Sequence, residues 1–128
     1  MRGKLFHNSM VEQVKTVFIR RGWQVRTECR YRNNGVTTYL DLLAAKNDCR
    51  IACEVETTAR HAVDNAVKAI AVSIPLWVIV PSRSLRRQIE HKLTPLRISD
   101  NQKPIKVLLL CQLEAEVIDF LRKPISKE

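Results

Sequence analysis

The chain is poor in aromatic and acidic residues, and its cysteines and histidines form no zinc-binding pattern. It has two Trp, two Tyr and three Phe among 128 residues, so aliphatic side chains must supply most of the core. The four cysteines include no Cys-x-x-Cys pair, and the three histidines complete no zinc spacing. Cys29, Cys53 and Cys111 lie in apolar runs, which is typical of buried, reduced thiols.

Neither a secretion signal nor a membrane span is visible. The first residues, Met-Arg-Gly-Lys-Leu-Phe-His, lack the apolar stretch of a signal peptide. No apolar run approaches the roughly 20 residues that a transmembrane helix needs. No repeat, low-complexity tract or linker divides the chain. We therefore expect one domain spanning residues 1–128, located in the cytoplasm and without a membrane partner.

Basic residues outnumber acidic ones. Lys and Arg total 22 against 13 Asp and Glu, which gives a net charge of +9 and a pI near 9.8. This excess favours a polyanion as partner, through counterion release and electrostatic steering. A basic surface that only aids solubility is the alternative. The side chains predicted to contact DNA are Arg26, Arg30, Arg32, Asn65, Arg83 and Arg86.

The pattern of apolar residues predicts nine elements in the order α-β-β-β-α-β-α-β-α. Ser9 with Glu12 three residues later has the pattern of a capping box, and Gly22 is typical of a helix stop. Asn33-Asn34-Gly35 predicts a hairpin turn. A three-strand meander followed by right-handed crossovers makes an α/β fold, a mixed central sheet flanked by helices. The predicted strands are 23–32, 37–45, 49–56, 76–80 and 105–110, and the later helices are 59–73, 83–94 and 112–122.

For two elements the sequence predicts which side faces the core. In the first strand apolar and polar residues alternate, so that one outer, basic face is predicted to carry Gln24, Arg26, Glu28, Arg30 and Arg32. The helix at 59–73 is predicted to begin at Thr57 or Thr58. Its predicted apolar arc consists of Ala62, Val63, Ala66, Val67 and Ile70.

Three carboxylates lie on two neighbouring predicted strands. Asp41 is flanked by leucines in strand 37–45, while Glu54 and Glu56 share one face of strand 49–56 because side chains alternate. Acids that converge on apolar strands are costly unless a cation neutralises them. Ligation by oxygen alone suits Mg²⁺ or Mn²⁺, and in a basic chain this points to phosphodiester hydrolysis.

Another arrangement of the same acids is possible. Glu54 and Glu56 would then face solvent on a one-sided antiparallel sheet and pair with Arg26 or Arg30 across the strands. We favour the metal site, because the helix at 59–73 must cover one face of the sheet. Within that site Glu56 either accepts a proton from the attacking water or completes a second metal site.

The acids and the element order together resemble the PD-(D/E)xK nuclease superfamily, which has the restriction-endonuclease-like fold with an α-β-β-β-α-β core. The resemblance covers about residues 9–81, and the helix–strand–helix segment 82–122 is additional. Asp41 matches the first acid of the motif and Glu54 the second, whereas Glu56 stands at the usual lysine position. Glu12 is similar to an accessory acid in the first helix of many members.

The resemblance implies a Mg²⁺-dependent DNA endonuclease with Asp41, Glu54 and Glu12 as metal ligands. Either Glu56 or Lys68 would take the role of the motif lysine in catalysis. Lys68 lies on the same side of the predicted helix as His61 and Asn65. Its position is similar to that of the lysine in family variants where this residue has moved to the following helix.

A small domain of this kind suits structure-selective cleavage in repair, defence or mobile-element processing, with a helicase or another subunit as a further partner. Cutting both strands requires two active sites, so we expect a homodimer, with the last strand and helix as the candidate interface. The alternative is a catalytically inactive nucleic-acid-binding or scaffold module with the same fold.

Overall fold

The computed structural model describes residues 2–96 and 105–122, which form a five-stranded mixed sheet with helices on both faces. The helices are α1 (Arg2–Arg20), α2 (Ala62–Ala71), α3 (Arg83–Leu93) and α4 (Leu113–Arg122). The strands are β1 (Gln24–Asn33), β2 (Val36–Lys46), β3 (Cys49–Val55), β4 (Leu76–Val80) and β5 (Ile105–Leu109). The predicted α/β class and element order are confirmed for these residues.

The sheet has the strand order β1-β2-β3-β4-β5. β1, β2 and β3 form an antiparallel meander, and β4 and β5 continue the sheet parallel to β3. Every residue of β4 is buried, as expected for a parallel strand covered on both faces. The continuous apolar run Leu-Trp-Val-Ile-Val therefore marks the centre of the molecule.

Two cores lie on opposite faces of the sheet. Helices α2 and α3 cover one face, where Ala66 and Ile89 pack near Val78. Helices α1 and α4 cover the other, where the fully buried Trp77 lies against Phe18 and Phe120. None of the helices in the described ranges is both long enough and apolar enough to cross a bilayer.

Helix α1 extends beyond the predicted start at Ser9, as far as Arg2. Ser9 lies inside the helix, so the capping box with Glu12 is wrong. No proline lies between Arg2 and Ser9, and the buried stripe of Met10, Val14 and Phe18 anchors the remaining turns. The added turns carry His7 to Asp41 on β2.

The end of α1 is formed as the sequence predicts. Gly22 has a φ of +86°, and its N–H bonds to the carbonyl of Ile19 at 3.0 Å. The N–H of Trp23 bonds to the carbonyl of Phe18 at 3.0 Å. This is a Schellman motif, and its hydrophobic contact is supplied by Trp23 against Phe18.

Gly22→Ala is expected to lower the free energy of unfolding by about 1–2 kcal/mol, because alanine is strained at positive φ. Its Cβ would also lie 3.0 Å from Lys46 Nζ, which donates to the Arg21 carbonyl. Gly3→Ala is the matched control, because Gly3 lies in α1 with no neighbour within 4 Å. Urea unfolding should show Gly3→Ala unchanged or slightly more stable. Equal losses in both variants would contradict the prediction.

Helix α2 differs from its prediction in its start and in its buried face. The residue before its first turn is His61, and no side chain caps it; the Thr58 hydroxyl instead accepts the N–H of Arg60 at 3.3 Å. Of the predicted arc, Ala62 and Ala66 are buried and Val63 packs against the core, whereas Val67 and Ile70 are 49% and 46% exposed and Ala69 is buried instead. Small side chains let the helix approach the sheet closely, which the larger predicted arc would prevent.

The predicted turn Asn33-Asn34-Gly35 forms and fastens the β1–β2 hairpin to the far end of α2. Asn34 and Gly35 have φ values of +55° and +75°, as a type I′ turn requires. The amide of Asn33 donates to the Val72 carbonyl at 2.9 Å, and that of Asn34 to the Ala71 carbonyl at 3.3 Å. The hairpin thereby satisfies carbonyl groups at the C-terminus of α2.

The last elements differ from expectation in part of the predicted interface and at Cys111. Leu108, Leu109 and Val117 are buried within the chain and belong to the core, whereas Leu121 is 42% exposed. Cys111 is exposed, although Cys29 and Cys53 are buried as expected. Side chains of β5 and α4 close the α1 face of the sheet because α1 does not cover it alone. The homodimer itself stays a prediction.

Candidate active site

The acid-bearing strands β2 and β3 separate at the candidate site. Their pairing ends at Leu42 and Cys53. Beyond it the backbone N–H of Val55 donates to Asp41 Oδ2 at 2.8 Å. A side chain thus satisfies a strand N–H where the ladder stops, and Asp41 is held beside the end of β3.

A kink in the β1–β2 hairpin turns both strands at Asp41. Glu28, opposite Asp41, has a φ of +48° and interrupts the pairing, which is regular on either side. Val25 packs on the α1 face, whereas Cys29 packs on the α2 face. A residue with left-handed φ within a strand rotates the residues that follow it. Odd-numbered side chains of β1 therefore point to the α1 face before Glu28 and to the α2 face after it.

Glu54 is the most strongly perturbed carboxyl group. Glu54 is buried, with 7% of its surface exposed. Burial, then the neighbouring Asp41 carboxyl and Glu56, raise the pKa of Glu54 to about 9, while a hydrogen bond from the Asp41 backbone acts in the opposite direction. At neutral pH and without a cation, Glu54 is therefore protonated.

Glu56 lies beside this pair and is held by α2. Burial raises the pKa of Glu56, and the Asp41 charge adds to this effect. A hydrogen bond from Asn65 Nδ2 at 2.5 Å, together with His61 and His7, lowers the pKa. The structure thus brings together the three acids that the sequence singled out, and Asn65 contacts one of them. Asn65 is therefore a partner of an acid as well as a predicted DNA contact.

His7 is a site residue that the sequence analysis missed. Its Nε2 lies 3.1 Å from Asp41 Oδ2. The helix that the sequence predicts starts after Ser9, which leaves His7 outside it. The signal was present, because His7 precedes Val11 by four residues and Val14 by seven, and it extends the buried stripe of α1.

A pocket of about 280 Å³ adjoins Asp41 on the side of α1. Glu12 is exposed and forms part of its wall, so the structure places this predicted ligand in the same pocket as Asp41. Glu28, which the sequence analysis did not single out as a ligand, faces the same space. The lining residues are His7, Asn8, Val11, Glu12, Thr27, Glu28 and Asp41.

Lys68 lies on α2 and is exposed. Within residues 2–96 and 105–122, no ion pair joins it to the acids. It is one helical turn beyond Asn65, further from the end of β3. Its catalytic role stays a prediction.

The predicted basic face of β1 is divided by the kink. Cys29 and Tyr31 pack towards α2, so Arg30 and Arg32 point to the opposite side of the hairpin. Arg26 precedes the kink and lies on the other face. Tyr39, opposite Arg30, is 71% exposed. Arg30, Arg32 and Tyr39 therefore form an exposed strip on the surface of the hairpin, and Tyr39 is two residues from Asp41.

The α3 arginines differ in their surroundings. Arg83 is exposed at the start of α3. The half-buried Arg86 donates to Gln112 Oε1 at 3.0 Å, and its buried Nε has no hydrogen-bond partner in the described residues. Arg86 thus links α3 to the segment before α4, while Arg83 is open to a ligand.

The donor set at the site suits a hard divalent cation. Within the described ranges, no group of three or more His, Cys, Asp and Glu side chains is arranged to hold a metal ion. Asp41 and Glu54 are nevertheless in contact, and Mg²⁺ is commonly bound by one or two carboxylates together with water. The residues present therefore fit Mg²⁺ or Mn²⁺ bound in this way.

No protein-family model and no curated protein matches the sequence. A crystal structure described as a protein of unknown function, AF1548, is similar in fold, with a TM-score of 0.55 and 12% sequence identity. The match covers 92% of this chain and 72% of that one. The likeness shows a shared mixed α/β fold.

Proposed function

We propose that this protein is a metal-dependent deoxyribonuclease, which hydrolyses phosphodiester bonds at the pair of acids Asp41 and Glu54. The main support is Glu54, a buried carboxyl group beside a second carboxyl group, with a pKa raised to about 9. Burying two neighbouring carboxyl groups lowers the stability of a protein, so such pairs occur mainly at functional sites. A divalent cation relieves the repulsion and requires both groups ionised.

The surrounding residues have distinct roles in this proposal. Asp41 and Glu54 hold Mg²⁺ or Mn²⁺, which supplies Lewis-acid activation of the phosphate and of water. Glu56, oriented by Asn65, is placed to accept the proton of the attacking water. Glu12 borders the adjoining pocket, where it is available as an accessory ligand.

DNA is the proposed substrate because the chain carries a net charge of +9 and its exposed arginines lie near the acids. The strip with Arg30 and Arg32 leads along the hairpin to Asp41. This arrangement supports contact with the sugar-phosphate backbone, which suits cleavage selected by DNA structure. A homodimer would place two such sites on one substrate, and a helicase or another subunit would deliver it.

The direct test is incubation of the pure protein with labelled linear duplex, nicked circle, four-way junction and single-stranded DNA. Each substrate is combined with Mg²⁺, Mn²⁺ or EDTA. We expect cleavage of at least one substrate with metal and none with EDTA. A parallel series with Lys68→Ala decides whether Lys68 or Glu56 completes the site. Cleavage that is unchanged by EDTA would contradict the proposal.

Arg30→Ala is expected to weaken DNA binding and to reduce the slope of log K against log salt by about 1, because one phosphate contact is lost. The matched control is Arg50→Ala, which removes an exposed arginine roughly 13 Å from Glu54 along β3. Fluorescence anisotropy at several salt concentrations, with Ca²⁺ in place of Mg²⁺, measures the DNA affinity and the salt slope of each variant. The same loss in both variants would indicate a diffuse charge effect.

A second candidate function is a nucleic-acid-binding module without catalysis. It is favoured by Glu56 at the position where the resemblance expects lysine, and by the exposure of Lys68. Such a module would bind DNA equally well in EDTA and after substitution of Glu54. Binding without cleavage on every substrate in the panel would support it.

A further inference from the structure

Asp41 Oδ2 receives two donors from different parts of the chain. The Val55 N–H lies 2.8 Å away and His7 Nε2 lies 3.1 Å away. A carboxylate oxygen has two lone pairs, so these donors occupy both. Asp41 Oδ1 is then the oxygen left for another ligand.

The two donors constrain different motions of Asp41. The Val55 N–H belongs to the sheet and holds the carboxylate at the end of β3. One hydrogen bond alone leaves the carboxylate plane free to turn about that bond. His7 approaches from α1, outside the sheet, and a second donor on the same oxygen fixes the plane.

We propose that His7 is a positioning residue, which donates its Nε2–H to Asp41 Oδ2 and so orients the Asp41 carboxylate that would hold a divalent cation together with Glu54. The proposal rests on the cation site described above. His7 and Asp41 have side chains 30% and 26% exposed, so their hydrogen bond is partly shielded from water. Outer groups that orient ligands in this way typically contribute about 10–100-fold in metal affinity.

The test is the Mn²⁺ dissociation constant at one fixed pH, measured by isothermal titration calorimetry without DNA. His7→Ala is expected to weaken Mn²⁺ binding by about 10–100-fold. His7→Gln is expected to restore most of the affinity, because its amide nitrogen can occupy the position of Nε2. His7→Asn should fail, because its shorter amide corresponds to Nδ1, which lies 3.3 Å from Asn8 Oδ1. Asn8→Ala is the neighbouring control, and metal-free melting temperatures report folding.

The outcomes separate this role from the cation site. Weak binding in His7→Ala with recovery in His7→Gln supports the proposal. Wild-type affinity in every His7 variant overturns it and leaves the cation site intact. Equal weakening in all three variants, with lowered melting temperatures, also overturns it, because His7 would then be needed only for the fold. Absence of Mn²⁺ binding in the wild type overturns the cation site and the positioning role together.

Discussion

Glu54→Gln is expected to lower the rate of metal-dependent DNA cleavage by about a thousandfold or more while the protein stays folded. The amide has nearly the shape of the carboxyl group but cannot supply the negative charge that Mg²⁺ requires. A metal ion contributes several kcal/mol to stabilisation of the transition state, and about 4 kcal/mol corresponds to a thousandfold in rate.

The measurement is a single-turnover assay with saturating protein and Mg²⁺ on the substrate that the wild type cuts best. Glu90→Gln is the matched control, since Glu90 is an exposed carboxylate on α3. It should cleave at the wild-type rate. Cleavage by Glu54→Gln within tenfold of the wild type would remove Glu54 from the proposed mechanism.

The second large effect concerns stability without metal. Glu54 has an ordinary pKa of 4.5, raised to about 9 in the folded protein. Between these values the folded state binds the proton more tightly than the unfolded state, so raising the pH favours unfolding. The contribution of Glu54 is fully present below about pH 4.5 and is lost as the pH rises towards 9. Because one pKa unit corresponds to about 1.4 kcal/mol, we expect a loss on the order of a few kcal/mol.

Glu54→Gln should remove this component, because an amide does not titrate and its NH₂ can still donate to Asp41. Chemical unfolding in EDTA at pH 5 to 9 compares the wild type, Glu54→Gln and Glu90→Gln. Above pH 7 we expect Glu54→Gln to be the most stable of the three. Added Mg²⁺ at pH 8 should stabilise the wild type and Glu90→Gln but not Glu54→Gln. A wild-type stability profile parallel to that of Glu54→Gln would contradict the assigned pKa.

Features fixed by neighbouring residues were predictable from the sequence. The strand Leu76–Val80 follows from one continuous apolar run, and the end of α1 follows from Gly22. The three acids came together as predicted because β2 and β3 are neighbouring strands and because Glu54 and Glu56 are two residues apart.

Features fixed by distant residues were not predictable. Glu28 has a positive φ at the point where β1 lies opposite Asp41 on β2. Because strict alternation does not include this kink, it predicts one basic face, whereas the arginines of the hairpin lie on two faces. Helix α2 buries Ala69 and leaves the larger Val67 and Ile70 exposed because the sheet lies close, which no pattern within the helix reveals. His7 is 34 residues from its partner Asp41, and its role depended on where α1 begins.

The amide clamp between the hairpin turn and α2 joins two parts of the proposed machinery. Asn33 and Asn34 hold the C-terminal end of the helix, and Asn65, near its other end, holds Glu56. The hairpin turn is therefore tied to one end of α2, and Glu56 is tied to α2 near the other end. Under the proposed function, the arginines that would contact DNA and the carboxyl group that would accept a proton are thus joined through one ten-residue helix.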